Sequence, residues 1–440
     1  MAYLISLMKN KFYLILLLVY FVIQIIYVVF YPLPFVSDSA LNLSFAQAAL
    51  REHTYYPNPS SIYDPAIIAP IYINYHVFLL KVFGNTSAIL FSNILLNLVQ
   101  LFLVYKITKK LFSERAAFAA FVIYVLYLNN LGLVLLNLTE LPFGVMILSS
   151  IYFYISPPTI ANGLLCGLTA GVAVGIRPTG WALVLAYLII YIITIFQSKA
   201  LKSKVITLAI GVLLFIVPMG LLSKRNIDRF EFTSVSGPSN LIMSANPRAR
   251  GVFDPYFFNN DSTYKTKKTY FEKNQYLLEY SKKYIGGHFW EWTSLIPRKI
   301  YSTFISDGWS ISLLLHRPAW DLNTYIKGNA EVKEAFQKES LFFRICFWGL
   351  NIWQQLIYGM ITVFFLYYLV DFVRGKSFTI EGLLINLFVF GGLAITILFA
   401  VGTPRYKYNF LILSIILISP YAMFFFDKIL RFIKESIHRP

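Results

Sequence analysis

The chain has 440 residues, 58% hydrophobic and only 13% charged, with a formal net charge of +17 and a mean hydropathy of +0.63. A soluble domain carries roughly 25% charged residues, so a soluble globular fold is excluded, and the positive balance reads as basic loops at a membrane face rather than a nucleic-acid footprint. The two cysteines, Cys166 and Cys346, lie in apolar stretches and the five histidines are scattered, which excludes a disulfide framework and gives no metal site.

Phe12 to Phe30 is the first uncharged window of full membrane length, and Tyr31-Pro32-Leu33-Pro34 follows it in place of a small-residue cleavage site. It reads as an uncleaved signal anchor. The loop 31–85 comes next. It opens on Phe35-Val36-Ser37-Asp38-Ser39 and continues into an amphipathic run with Leu41, Phe45, Ala48 and Ala49 at helical spacing. Segment 67–83 is short and contains Pro70, Asn74, His76 and Lys81, which suits a helix lying in the outer interface.

Further spans are expected near 86–105, 116–130, 139–155, 160–176, 178–197 and 204–222. A polar stretch, 223–340, separates them from spans near 345–370, 381–401 and 406–426. Basic residues fall between spans in a regular beat: Lys9 and Lys11; Lys106, Lys109, Lys110 and Arg115; Lys199, Lys202 and Lys204; Arg374 and Lys376; and Lys428, Arg431, Lys434 and Arg439. All five clusters agree with one orientation, with both termini cytoplasmic. The expectation is an all-α polytopic membrane protein with about ten or eleven spans. Its parts are an N-terminal transmembrane module over 1–222, an extracytoplasmic region over 223–344 and C-terminal helices over 345–440. No repeat of fixed period is visible.

This topology gathers the candidate reactive groups on the side opposite the basic clusters. Asp38 has two readings: Ser37 or Asp38 caps the following helix, or the carboxylate serves as a general base at the membrane surface. Glu140, in Asn137-Leu138-Thr139-Glu140-Leu141-Pro142-Phe143, sits either in the first turn of a helix capped by Thr139 or Asn137 or as a functional acid bordering hydrocarbon. Asp64 is the third acid of this face. Arg177 (Gly175-Ile176-Arg177-Pro178-Thr179-Gly180), Arg298 and Lys299, and Arg405 and Lys407 (Gly402-Thr403-Pro404-Arg405-Tyr406-Lys407-Tyr408) all lie on the side where positive charge is disfavoured. They either snorkel to headgroups or bind an anion such as a lipid phosphate. The aromatic-rich run Tyr284 to Ser312 reads chiefly as an interfacial belt. No phosphate-cradling glycine loop, nucleotide fingerprint or Ser-His-Asp pattern occurs.

In order along the chain, several motifs resemble the GT-C superfamily of membrane glycosyltransferases, in particular its protein mannosyltransferase and aminoarabinose transferase branch. They are Ser37-Asp38-Ser39 after the first span, Asp64-Pro65 through Val82-Phe83-Gly84, the basic loop Tyr105 to Phe112, Thr139 to Phe143, the glycine-rich hairpin Gly167 to Gly180, and the basic points Pro297-Arg298-Lys299 and Pro404-Arg405-Tyr406. The first loop has one acid where some members have an Asp-Glu pair or an Asp-x-Asp. The resemblance implies a GT-C fold, a polyprenyl-phosphate sugar donor, and inverting transfer to a glycan, lipid or protein acceptor at the outer face of a cell membrane. Asp38 matches the catalytic base and Glu140 a second acid. Arg177, Lys299 and Arg405 match contacts to the donor phosphate, with Asp64, His76, Lys81, Arg298 and Lys407 as further candidates. No cofactor is implied, since the lipid-linked sugar is a substrate. A lipid-linked-sugar flippase or transporter and an enzyme like an O-antigen ligase or polymerase are the alternatives.

Overall fold

The computed structural model describes every residue except 1, 32–34, 36, 195–198, 317–329 and 438–440. Among the described residues the fold is helical, without strands. Ten helices correspond to the expected spans: α1 (Ala2–Phe30), α4 (Ser87–Leu111), α5 (Glu114–Leu126), α7 (Glu140–Tyr154), α8 (Ile160–Ile176), α9 (Trp181–Thr194), α10 (Lys199–Ile227), α19 (Leu341–Val373), α20 (Ile380–Phe399) and α21 (Tyr408–Ile437). Segments of α1, α4, α10, α19 and α20, and Pro404–Lys428 at the head of α21, are long and apolar enough to cross a membrane; α7, α8 and α9 are shorter apolar helices.

The loop 31–85 holds α2 (Asp38–Arg51) and α3 (Pro70–Phe83), joined through a 3-10 turn at Pro59–Tyr63. At about 1.5 Å per residue, the 14 residues of α3 reach about 21 Å, short of a hydrocarbon core about 30 Å thick. The polar stretch folds into α11 (Gly237–Ile242), α12 (Tyr256–Asn260), α13 (Ser262–Thr266), α14 (Tyr270–Gly287), α15 (Phe289–Ser294), α16 (Ile296–Phe304), α17 (Ile311–Leu314) and α18 (Ala330–Lys338). A reciprocal capping box starts α14. Thr269 Oγ1 accepts from Glu272 N at 3.2 Å, and Glu272 Oε2 accepts from Thr269 N at 3.0 Å.

One expectation is corrected. The span near 116–130 and the exposed turn after it are in fact α5, a break, and a short buried helix, α6 (Asn129–Val134). Asn130 breaks the run: its Nδ2 donates to Tyr124 O at 2.6 Å and its Oδ1 accepts from Tyr408 OH at 2.7 Å. Beside it, Asn97 Nδ2 donates to Tyr20 OH (2.9 Å), Gln24 Oε1 (2.9 Å) and Asn130 O (3.1 Å), while Tyr124 OH donates to Asn97 Oδ1 at 2.6 Å. These buried amides and phenols join α1, α4, α5, α6 and α21. In an apolar bundle such bonds fix which faces meet, because an unmade one leaves a polar group in hydrocarbon.

Helices α8 and α10 approach closely through glycine. A Cβ on Gly167 would collide with the Leu208 carbonyl, and one on Gly211 with the Leu164 carbonyl, so both positions require the missing side chain. The result is a closely packed helix pair, and the C-terminal end of α8 delivers Arg177.

Candidate active site

Four of the candidate residues meet, each delivered by a different element. Asp38 stands in the first turn of α2, where Ser37 occupies the N-cap position without a side-chain cap bond. The Asp38 carboxylate instead accepts from Arg405 Nη2 at 2.7 Å. Glu140 begins α7, beside the positive end of that helix, and Thr139 makes no side-chain cap bond either. Glu140 Oε1 lies 3.0 Å from Arg405 Nε and 3.3 Å from Arg177 Nη1. Arg177 occupies the C-cap of α8 in an extended conformation, and Arg405 sits in the 3-10 turn Pro404–Lys407 that leads into α21.

The chain of contacts runs Asp38–Arg405–Glu140–Arg177, with alternating charge. Exposure grades along it: the Glu140 side chain is 1% exposed, Arg177 19%, Arg405 26% and Asp38 52%. A buried carboxylate is costly unless paired, and two guanidinium groups supply that pairing. The Arg177 guanidinium carbon also stands 5.9 Å from the Phe143 ring centroid and 5.6 Å from that of Tyr406. Arginine carries five donors in a fixed fork. Among the described residues, Arg405 Nη1 and the Nε and Nη2 of Arg177 have no ion-pair partner. The site therefore keeps spare donors for an anion.

Asn137 sets the geometry. Its Oδ1 accepts from Tyr72 OH of α3 at 2.8 Å and its Nδ2 donates to Ser39 O at 3.3 Å. Its carbonyl accepts from Asn42 Nδ2 at 3.0 Å. One buried amide thus locks the start of α2, with Asp38, against the turn that carries Glu140.

The cluster and the basic loops occupy opposite ends of α7. Lys110 Nζ donates to Ser156 Oγ at 2.6 Å, just beyond the C-terminus of that helix. Tyr154, in its last turn, is within electrostatic reach of Glu381 at the start of α20, which follows the Arg374–Lys376 turn.

The remaining candidates lie elsewhere. Lys299, expected at the donor phosphate, is buried, and its ammonium donates to the carbonyls of Ile397 (2.9 Å) and Leu398 (3.2 Å) at the end of α20. Burial pushes its pKa down to about 8. Lys407 is fully buried as well; its Nζ donates to Thr303 O (2.7 Å) and Ser306 O (2.6 Å) and pairs with Asp307 Oδ1 at 3.3 Å. Neither lysine pairs with the cluster: main-chain carbonyls take two donors of each ammonium, and Asp307 engages that of Lys407 as well. They instead clamp the segment that presents Arg405, and Gly402 in that segment lies so close to the Lys299 backbone that a Cβ there would collide with it.

Asp64 ends the 3-10 turn of the first loop, and burial beside Glu52 pushes its carboxyl up to about 6 against the opposing pull of Lys273. His76 is buried against the Tyr72 ring with centroids 4.2 Å apart, makes no hydrogen bond among the described residues, and is driven by burial down to about 3. Lys81 and Arg298 are exposed away from the cluster. Among the described residues no group of three His, Cys, Asp or Glu side chains is placed to hold a metal ion.

Comparison with known proteins agrees with this architecture. The family model for dolichyl-phosphate-mannose-protein mannosyltransferase matches residues 69–221. Among solved structures, the archaeal oligosaccharyltransferase AglB from Archaeoglobus fulgidus, in complex with an inhibitory peptide and a dolichol-phosphate, superposes over 98% of this chain and 52% of its own length, with a TM-score of 0.52 at 13% identity. The apo form of the Archaeoglobus fulgidus oligosaccharyltransferase gives a TM-score of 0.53 over 98% of this chain and 53% of its own, again at 13% identity. The chain has the GT-C fold. It spans about half the length of those GT-C enzymes, and no curated protein matches it by sequence. The family match covers α3 to α9 and most of α10, including Glu140 and Arg177; Asp38 and Arg405 lie outside the matched residues.

Proposed function

We propose that the protein transfers a sugar from a polyprenyl-phosphate donor to an acceptor hydroxyl at the extracytoplasmic face of a cell membrane, with inversion and with Asp38 as general base. The observation that carries this reading is the half-exposed Asp38 carboxylate, oriented by Arg405 and backed by buried Glu140 and Arg177. The GT-C fold supports a lipid-linked donor. The basic loops at the far end of the bundle support an outer location for the site, with both termini cytoplasmic.

In this reading the acceptor oxygen attacks the anomeric carbon while its proton passes to Asp38. The bond from that carbon to the phosphate oxygen breaks, and polyprenyl phosphate leaves with the electron pair. The spare donors of Arg177 and Arg405 stabilise the charge growing on the leaving phosphate, and Glu140 fixes both guanidinium groups.

The test is Asp38→Asn in purified, lipid-reconstituted protein supplied with polyprenyl-phosphate sugar. Release of free polyprenyl phosphate should fall by about 10²–10⁴-fold while donor binding and thermal stability hold. Near-normal release from that variant would remove Asp38 from the mechanism. Movement of intact donor across vesicles without cleavage would replace the transferase with a transporter.

A further inference from the structure

Immediately beyond Arg177, a cleft of about 380 Å³ opens between Pro178, the segment Glu231–Pro238 and the first turn of α14. Its walls are mostly apolar: Pro178, Val235, Pro238, Tyr270 and Phe271. Phe271 is well exposed, and the Arg229 guanidinium carbon lies 3.8 Å from its ring centroid. One carboxylate is set into these walls. Glu231 Oε1 accepts from Tyr270 OH at 3.0 Å, and its Oε2 accepts from no donor among the described residues. Burial holds this carboxyl above its ordinary range.

The cleft is built, not incidental. Val235 N donates to Ile67 O at 2.9 Å, and Thr233 Oγ1 donates to Val174 O. Asn274 Nδ2 donates to Val235 O at 3.0 Å. These bonds pin one wall to the end of α8 and to the approach to α3, the elements that deliver Arg177 and Tyr72. The other wall, α14, also carries Glu272, Lys273, Glu279, Lys282 and Lys283, charges that disfavour placing this helix in hydrocarbon.

An apolar, aromatic wall with a carboxylate oxygen free to accept and the buried, unpartnered Asn274 Oδ1 beside it matches a ring that has a C–H face and hydroxyl edges. We propose that this cleft is the acceptor subsite and that the acceptor presents a pyranose ring, seated against Phe271 and Pro238, with a hydroxyl donating to Glu231 Oε2. This names the acceptor class for the transfer proposed above and rests on that reading for its role. Its consequence for binding stands separately. Pro178 lines the cleft and directly follows Arg177 in the chain, which sets the subsite beside the element that delivers that arginine.

The experiment uses the full chain in lipid nanodiscs and a panel of methyl and p-nitrophenyl glucosides, galactosides, mannosides and N-acetylglucosaminides, read by saturation-transfer NMR. At least one pyranoside should bind, with affinity falling by roughly tenfold or more in Phe271→Ala and in the conservative Glu231→Gln, both first shown to keep the thermal midpoint. Absence of binding by every pyranoside, or equal binding by wild type and both variants, overturns the subsite. An Asp38→Asn protein that still transfers sugar defeats the catalytic reading instead and leaves the binding result legible.

Discussion

Two ion-paired groups lie two residues apart along the segment that enters α21, and they are built in opposite ways. Arg405 reaches outward to one half-exposed and one buried carboxylate and keeps donors in reserve. Lys407 turns inward, and its ammonium is consumed by Asp307 and two backbone carbonyls with no exposure at all. Asp307 is consumed in turn by Tyr127 OH at 2.5 Å and Gln354 Nε2 at 3.2 Å. A cation set among apolar helices can thus serve the site or the scaffold. What distinguishes the two is how many of its hydrogen bonds the protein has already made.

The comparison breaks first at Lys407. Lys407→Met leaves Asp307 buried without its cation and should cost about 3–5 kcal/mol, seen as a lower thermal midpoint in detergent; adding Asp307→Leu should recover most of that loss. Arg405→Ala should do the reverse, leaving the midpoint within a few degrees while transfer falls by about 10²–10³-fold. Arg405→Lys should restore only a minor part, because an ammonium cannot span both carboxylates as the fork does. Equal loss of stability from the two alanine or methionine variants would erase the distinction.

A smaller effect sharpens it. Asn137→Ala removes the bonds between α2 and the Glu140 turn and should cost about 1–3 kcal/mol, with slower transfer at saturating donor and little change in donor affinity, measured by separating kcat from KM. The smallest concerns Asp64. Its folded pKa of about 6 lies above the ordinary carboxylate value, so ionisation opposes folding. That cost is fully present above about pH 6 and vanishes below about pH 4. Asp64→Asn should therefore stabilise the protein by about 1 kcal/mol at pH 7.5, discounted for partial exposure, and by nothing at pH 3.5. Parallel melting curves across that range decide it.

Much of this plan was legible in the sequence because the bilayer imposes it. Uncharged windows mark helices α1, α4, α10, α19, α20 and α21, and the alternating basic clusters order their ends. The scarcity of acids singled out Asp38 and Glu140, and misplaced positive charge singled out Arg177 and Arg405, which the structure brings together. Reach was not legible. Lys299 and Lys407 share the pattern of Arg405 in one dimension, and only the folded backbone shows that carbonyls absorb them. Asn137 read as a helix cap, since nothing local reveals that its amide faces Ser39 and Tyr72, which lie far away in sequence. The break after α5 was hidden for a related reason: Asn129 and Asn130 look like a surface turn until Tyr408 and Ser310 are found bonded to them.

Asp38 and Arg405 are separated by 367 positions along the chain, yet each holds the other in place. During synthesis the aspartate emerges first, and its cation arrives only after all the residues between them. Any fragment released upstream of that arginine carries the carboxylate without the guanidinium that holds it.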